Sequence, residues 1–180
     1  MSRDTVGSAV RVRGAFTNLA GALVDPTTVS MICRTPDGTV DPALVYGTHA
    51  AAKKAATLLN GAMDDNDTQI TVDAATGFAA EDAEFPITDA TAKLRLIRID
   101  SETMLVTGGF GTLVWTVERG VGGTTAASHL DNADVIGPYY TDITIESGGD
   151  AEHRVRFIGT GAVARAEEVV LGVIQSELVA

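Results

Sequence analysis

Residues 27–46 read TTVSMICRTPDGTVDPALVY, and the fold class turns on this stretch. Val29, Met31 and Cys33 recur at every second position, the period of a strand with one buried face. Thr35-Pro36-Asp37-Gly38 follows as a turn signal, because proline presets its own φ and glycine accepts a positive one. Val40 to Tyr46 reads as the returning strand. Pro42 has no N–H to give to a ladder, which places that strand at a sheet edge. Two strands about a Pro-Asp-Gly turn make a β-hairpin.

Both chain ends continue in this style. Val10, Val12 and Phe16 share one parity and Arg11 and Arg13 take the other, so Val10–Phe16 reads as a half-buried strand, closed by a turn region over Asn18–Asp25. Near the other end, Tyr139–Glu146 is strand-like with Ile143 and Ile145 on one face. Ser147–Asp150 is a turn, Val155 and Phe157 alternate against Arg154 and Arg156, Gly159–Gly161 turns again, and Val169, Leu171 and Val173 alternate. Short strands separated by turns predict an antiparallel β-sandwich made from residues 1–47 and 138–180, with Val12, Phe16, Val29, Met31, Phe157 and Leu171 in its core.

The middle has a different composition. His49–Leu59 is alanine-rich and predicts a helical turn or two, stopped at Asn60-Gly61. Asp64–Asp67 is a polar turn, and Ile70 and Val72 alternate with Thr71 and Asp73. Leu94–Asp100 alternates until the parity slips at Leu96-Ile97, which predicts a bulge. Met104–Thr107, the glycine-rich Gly108–Gly111, and Leu113, Trp115 and Val117 read as a hairpin. Residues 48–137 are therefore expected to form an inserted, small β-barrel-like domain with Ile70, Val72, Phe78, Val106, Trp115 and Val117 inside. The whole chain is expected to be all-β.

Composition excludes several classes of function. The chain has 180 residues and a net charge of −11, and its densest basic stretches, Val10–Arg13 and His153–Arg156, alternate charge with apolar residues. That pattern repels a phosphate backbone, so no nucleic acid is expected. No apolar run approaches the roughly 18 residues of a membrane span. The N-terminus, with Arg3, Asp4, Arg11 and Arg13, has no continuous apolar core and does not read as a signal peptide, so synthesis in a cytosol is expected. Cys33 is the single cysteine. It excludes an intrachain disulfide and reads as a small buried hydrophobe.

Candidate chemistry is sparse. Gly108–Gly111 and Arg119–Gly123 are glycine-rich, yet neither is followed by Lys-Ser/Thr, so hairpin turns explain both better than a phosphate cradle. His49, His129 and His153 lack metal-ligand spacing. The Asp64, Asp65, Asp67 run and the Asp131, Asp134 pair lack the glycine and glutamate of a calcium loop. Glu102 lies among apolar residues on a strand and is suited to accepting backbone hydrogen bonds; catalysis would need a second positioned group. No catalytic, cofactor or metal residue is expected, and no enzyme.

Two resemblances cover nearly the whole chain. Ile70-Thr71-Val72-Asp73, Ala75-Thr76-Gly77-Phe78, Ile97–Val106 with Glu102, and Trp115–His129 together resemble a small β-domain of phage tail and baseplate proteins. The connection Glu81–Lys93 is longer here than in that pattern. Arg119 and His129 match it, and the resemblance attaches no catalysis to them; a turn-bracing hydrogen bond is the role expected on physical grounds. Val10–Thr17, Asp25–Val29 with Pro36–Thr39, and Gly159–Glu168 resemble an immunoglobulin-like domain of phage structural proteins.

The class these resemblances imply is a virion component that binds capsid, neck or tail proteins in a symmetric multi-copy assembly. A head-associated accessory protein (capsid decoration, head fibre or neck) is expected first and a tail or baseplate component second. A carbohydrate-binding host-recognition module stands third, with Trp115, Tyr46, Tyr139 and Tyr140 as its candidate aromatics.

Overall fold

The computed structural model describes residues 9–35, 37–78, 92–144, 152–161 and 169–175. The described chain is all-β, with antiparallel sheets and only short 3-10 turns besides. Its strands are β1 (Ala9–Gly14), β2 (Thr28–Arg34), β3 (Leu44–Val45), β4 (Lys53–Leu58), β5 (Gln69–Thr71), β6 (Leu96–Ile99), β7 (Glu102–Gly108), β8 (Val114–Glu118), β9 (Asp134–Thr144), β10 (Glu152–Thr160) and β11 (Val169–Gln175). Two compact units emerge. Unit 1 comprises Met1–Gly14, Pro26–Lys53 and Tyr140–Ala180; unit 2 comprises Ala15–Asp25 and Lys54–Tyr139.

Unit 1 contains a four-stranded sheet in the order β11-β10-β2-β3. Alternation decides its faces: His153, Val155 and Phe157 are buried, whereas Arg154 and Arg156 are exposed. Phe157 lies opposite Met31 on β2, and its ring packs under Gly14 of β1, where an added Cβ would come within 2.5 Å of it. Thr35 and Asp37 shape the β2–β3 turn. The Asp37 carboxylate accepts from the Thr35 hydroxyl at 2.6 Å and from the Thr39 N–H at 2.9 Å, and Gly38 takes φ +90°. Outside that turn, the strand expected over Val40–Tyr46 is ladder-like only at Leu44–Val45; Val40 makes an isolated bridge to Arg34. Cys33 is half-buried rather than buried, because it lies near the end of its strand, two residues before the turn.

Unit 2 pairs in a closed circuit. The order β9-β6-β7-β8-β5 is joined at its ends by β4, which pairs with β9 and whose next residue, Leu59, bridges Val72 just after β5. Asn60 N–H to Thr71 O (2.8 Å) and Leu59 N–H to Ala133 O (2.9 Å) complete the seam. Residues 49–59 therefore do not make the expected helical turns. Burial overrides the helix propensity of alanine: fully buried Ala55 sits beside Phe78 and Gly137, where an added Cβ on Gly137 would meet the Phe78 ring at 2.5 Å. Inside the circuit Ile70, Val72, Phe78, Val106, Trp115 and Val117 are all buried. Phe78, Phe110 and Trp115 pack ring on ring, with centroids 4.8–5.7 Å apart.

The parity slip at Leu96-Ile97 has a different cause from a bulge. β6 and β7 pair regularly through Leu96↔Leu105 and Ile97↔Met104. Ile97 faces the interior; Leu96 is buried by the segment 15–25, whose Ala15 and Leu23 form a second small cluster with it, against Leu105 and Val121. Both faces of β6 are covered, so both parities are apolar. Phe16 is buried as expected, but within unit 2, edge-on to Tyr139 at 5.9 Å. The expected core position Leu171 and the turn at Ser147–Asp150 lie outside the side chains and residues described.

Candidate functional site

The densest polar cluster is in unit 2, around Glu102. This residue opens β7 and is fully buried at 0% exposure. Arg119, just past β8, clamps it bidentately, with Nε to Oε1 and Nη2 to Oε2 both at 2.7 Å. The loop that follows adds two backbone donors, Gly120 N–H to Oε1 at 2.9 Å and Ala127 N–H to Oε2 at 3.0 Å. His129 places Nε2 2.9 Å from Oε2.

Burial alone would raise the Glu102 carboxyl, but hydrogen bonds from Arg119, His129, Ala127 and Gly120 outweigh it and hold it at about 2. An ionised carboxylate only accepts, so His129 Nε2 carries a proton and donates. Its Nδ1 lies 2.8 Å from Asp100, a carboxylate whose side chain is 65% exposed.

Arg119 also reaches outward. Nη1 donates to Asp64 O (2.8 Å) and Asp67 O (2.9 Å), and Nη2 to Ala127 O (2.6 Å). The Asp64–Asp67 turn, the β8 exit, the 120–127 loop and the start of β7 are thus tied to one ion pair. Met63 and His129 exchange backbone hydrogen bonds at 3.0 and 2.9 Å, which brings the polar turn and the histidine together. Among the described residues the hydrogen bonds of the Glu102 side chain all come from the same unit, so the arrangement fixes loops against one another.

A second cluster was not legible in the sequence. Asp25 accepts from Lys54, Arg98 (2.6 Å) and the Tyr139 hydroxyl (3.0 Å). Burial pushes the Asp25 carboxyl up, but the two cations outweigh it and lower it; burial lowers the Lys54 amine. These four residues are spread over 114 positions and share no motif.

The expected groupings resolve as follows. Glu102, Arg119 and His129 converge, and the Asp64–Asp67 turn reaches them through its carbonyls. His49 and His153 belong to unit 1 and His129 to unit 2. Among the described residues no group of three His, Cys, Asp or Glu side chains is placed to hold a metal ion. Gly108–Gly111 forms the β7–β8 hairpin turn, where Gly109 and Gly111 take positive φ. Trp115, Tyr139 and Tyr140 are buried, and of the four candidate aromatics only Tyr46 is exposed. Among the described residues no helix is long and apolar enough to cross a membrane. No protein-family model matches the chain, and no curated protein or solved structure matches it either.

Proposed function

We propose that the chain is a non-catalytic structural component of a tailed-phage virion: a head-associated accessory protein acting as capsid decoration, head fibre or neck part by protein–protein binding. The observation that carries this reading is the Glu102 hub. Among the described residues its carboxylate takes five hydrogen bonds, all from its own unit, and they hold backbone in place where an acid or base would face a substrate. The phage-type motifs supply the class, and Arg119 and His129 brace loops around Glu102. Partners are capsid, neck or tail proteins in a symmetric array, met through unit 1, while the more acidic unit 2 faces solvent.

A tail or baseplate location is the second reading. It is favoured by the closed strand circuit formed where the tail-type motif lies, Ile70–Phe78 and Trp115–His129. The carbohydrate-binding reading loses Trp115 as a stacking platform, since that ring is buried against Phe78 and Phe110.

The test is imaging of particles produced without this protein beside complete ones. Loss of density on the capsid surface or neck supports the head assignment. Loss at the baseplate moves the protein to the tail, and particles unchanged in composition and outline overturn the virion reading.

A further inference from the structure

Unit 2 holds the chain's single Asn-Gly pair, Asn60-Gly61, both residues exposed, in the turn that leaves β4. The turn takes φ +89° at Gly61, where any side chain would be strained. The pair lies on the seam that closes the strand circuit. Asn60 N–H donates to Thr71 O at 2.8 Å, Asp73 N–H to Leu58 O at 3.0 Å and Asn132 N–H to Leu59 O at 2.9 Å. A glycine after asparagine is a chemical hazard. It has no Cβ to screen its nitrogen, so in a free chain that nitrogen reaches the asparagine side chain readily. The nitrogen loses its proton to solvent base and attacks Asn60 Cγ. The N–Cγ bond forms, the Cγ–Nδ2 bond breaks, and ammonia leaves after taking a proton from water. Water then opens the five-membered imide to aspartate, or to isoaspartate with a backbone one carbon longer.

In the fold both reacting groups are held by carboxylates. Asn60 Nδ2, the leaving nitrogen, donates to Asp73 Oδ1 at 2.8 Å. Gly61 N–H, the nucleophile, donates to Asp131 Oδ1 at 2.7 Å. Neither carboxylate is loose: Asp73 is anchored through its own N–H, and Asn132 Nδ2 donates to the other oxygen of Asp131 at 2.8 Å. We propose that Asn60-Gly61 is a latent deamidation site, with water as its reagent, kept closed by Asp73 and Asp131. The Asp73 bond keeps the Asn60 amide from swinging onto Gly61 N. The Asp131 bond keeps the proton on that nitrogen, because the amide anion would face a carboxylate at hydrogen-bond distance. Once open, the site damages its own seam: a new carboxylate at position 60 lies against Asp73, and isoaspartate lengthens the turn that Asp131 holds.

The placement is specific. The other asparagines, Asn18, Asn66 and Asn132, precede Leu19, Asp67 and Ala133, whose side chains screen the following nitrogen. The two carboxylates therefore meet the one pair whose sequence makes it fast. The site does not depend on the virion reading.

The experiment is peptide mapping by mass spectrometry of the full chain aged in mildly alkaline buffer, folded and in denaturing urea. Folded wild type should convert Asn60 at least about tenfold more slowly than the denatured chain, the equivalent of one charge-assisted hydrogen bond. Asp73→Ala and Asp131→Ala, shown to be folded by Trp115 fluorescence, should each raise the folded rate about tenfold. Asp134→Ala removes a carboxylate of the same segment that holds neither reacting group, and should leave the rate unchanged. Deamidated wild type, separated by its added negative charge, should show faster amide exchange at Asp73 and Asn132, two donors of the seam. Folded wild type converting as fast as the denatured chain, either folded variant as slow as wild type, Asp134→Ala as fast as those variants, or a deamidated form with its seam unchanged would each overturn the proposal. The comparison of folded with denatured wild type needs no variant to fold.

Discussion

In unit 1 the buried centre is an aromatic ring, Phe157, packed against Gly14; unit 2 buries a carboxylate, Glu102, as well as a three-ring aromatic cluster. The charges divide as sharply. Unit 1 carries 8 Lys/Arg and 10 Asp/Glu, a net −2; unit 2 carries 5 and 14, a net −9, and the two account for the −11 of the chain. Unit 2 closes its strand circuit, whereas the sheet of unit 1 ends at β3. A closed circuit with strong self-repulsion needs internal ties, and the Arg119–Glu102 pair supplies them. A near-neutral unit with sheet ends is the one suited to meeting partners.

The largest expected effect comes from breaking the hub. Glu102→Gln leaves the Arg119 guanidinium buried without its counter-charge and should destabilise unit 2 by about 3–5 kcal/mol. Trp115, the single tryptophan, lies in unit 2, so its fluorescence during urea unfolding reads that loss directly. A change below roughly 1 kcal/mol would make the hub decorative. Phe157→Ala should cost a similar 3–5 kcal/mol in unit 1, read from amide exchange on β2 and β10.

Acid sharpens the contrast. The Glu102 carboxyl is held at about 2 against an ordinary 4.5, so its contribution is fully present above pH 4.5 and is lost as pH falls toward 2. Wild-type unit 2 should lose stability across that window more steeply than Glu102→Gln does. Parallel acid profiles would contradict the assignment.

Smaller effects compare matched features. Gly14→Ala in unit 1 and Gly137→Ala in unit 2 each push a methyl into an aromatic ring, Phe157 or Phe78, and should each cost about 1–3 kcal/mol by thermal melting. Asp142→Asn removes the half-exposed pair with Arg11, 2.8 Å apart, and should cost only about 0.2–1 kcal/mol, less in high salt. An Asp142 effect as large as that of Glu102 would erase the distinction between the two units' ion pairs.

The all-β class was legible because strand alternation and turn residues are local signals. Met31, Phe157, Trp115 and Val117 declared their faces by parity alone. Lys53–Leu58 was read against its fold because alanine favours helix in isolation, while Ala55 is small for a tertiary reason, the crowding of Phe78 and Gly137. Leu96 carried a true signal with the wrong cause: nothing local says that residues 15–25 will cover it. Of the hub, Glu102, Arg119 and His129 were visible as residues in a motif, but the donors Gly120 N–H and Ala127 N–H are backbone and leave no trace in side-chain identity.

The most direct measurement of the central claim, attachment through unit 1, is hydrogen–deuterium exchange of the protein in purified particles against the same protein free in solution. The account predicts added protection in residues 28–46 and 152–160 of unit 1 and unchanged exchange in the Asp64–Asp67 turn and residues 130–134 of unit 2. Protection confined to unit 2, with 28–46 and 152–160 unchanged, would contradict it.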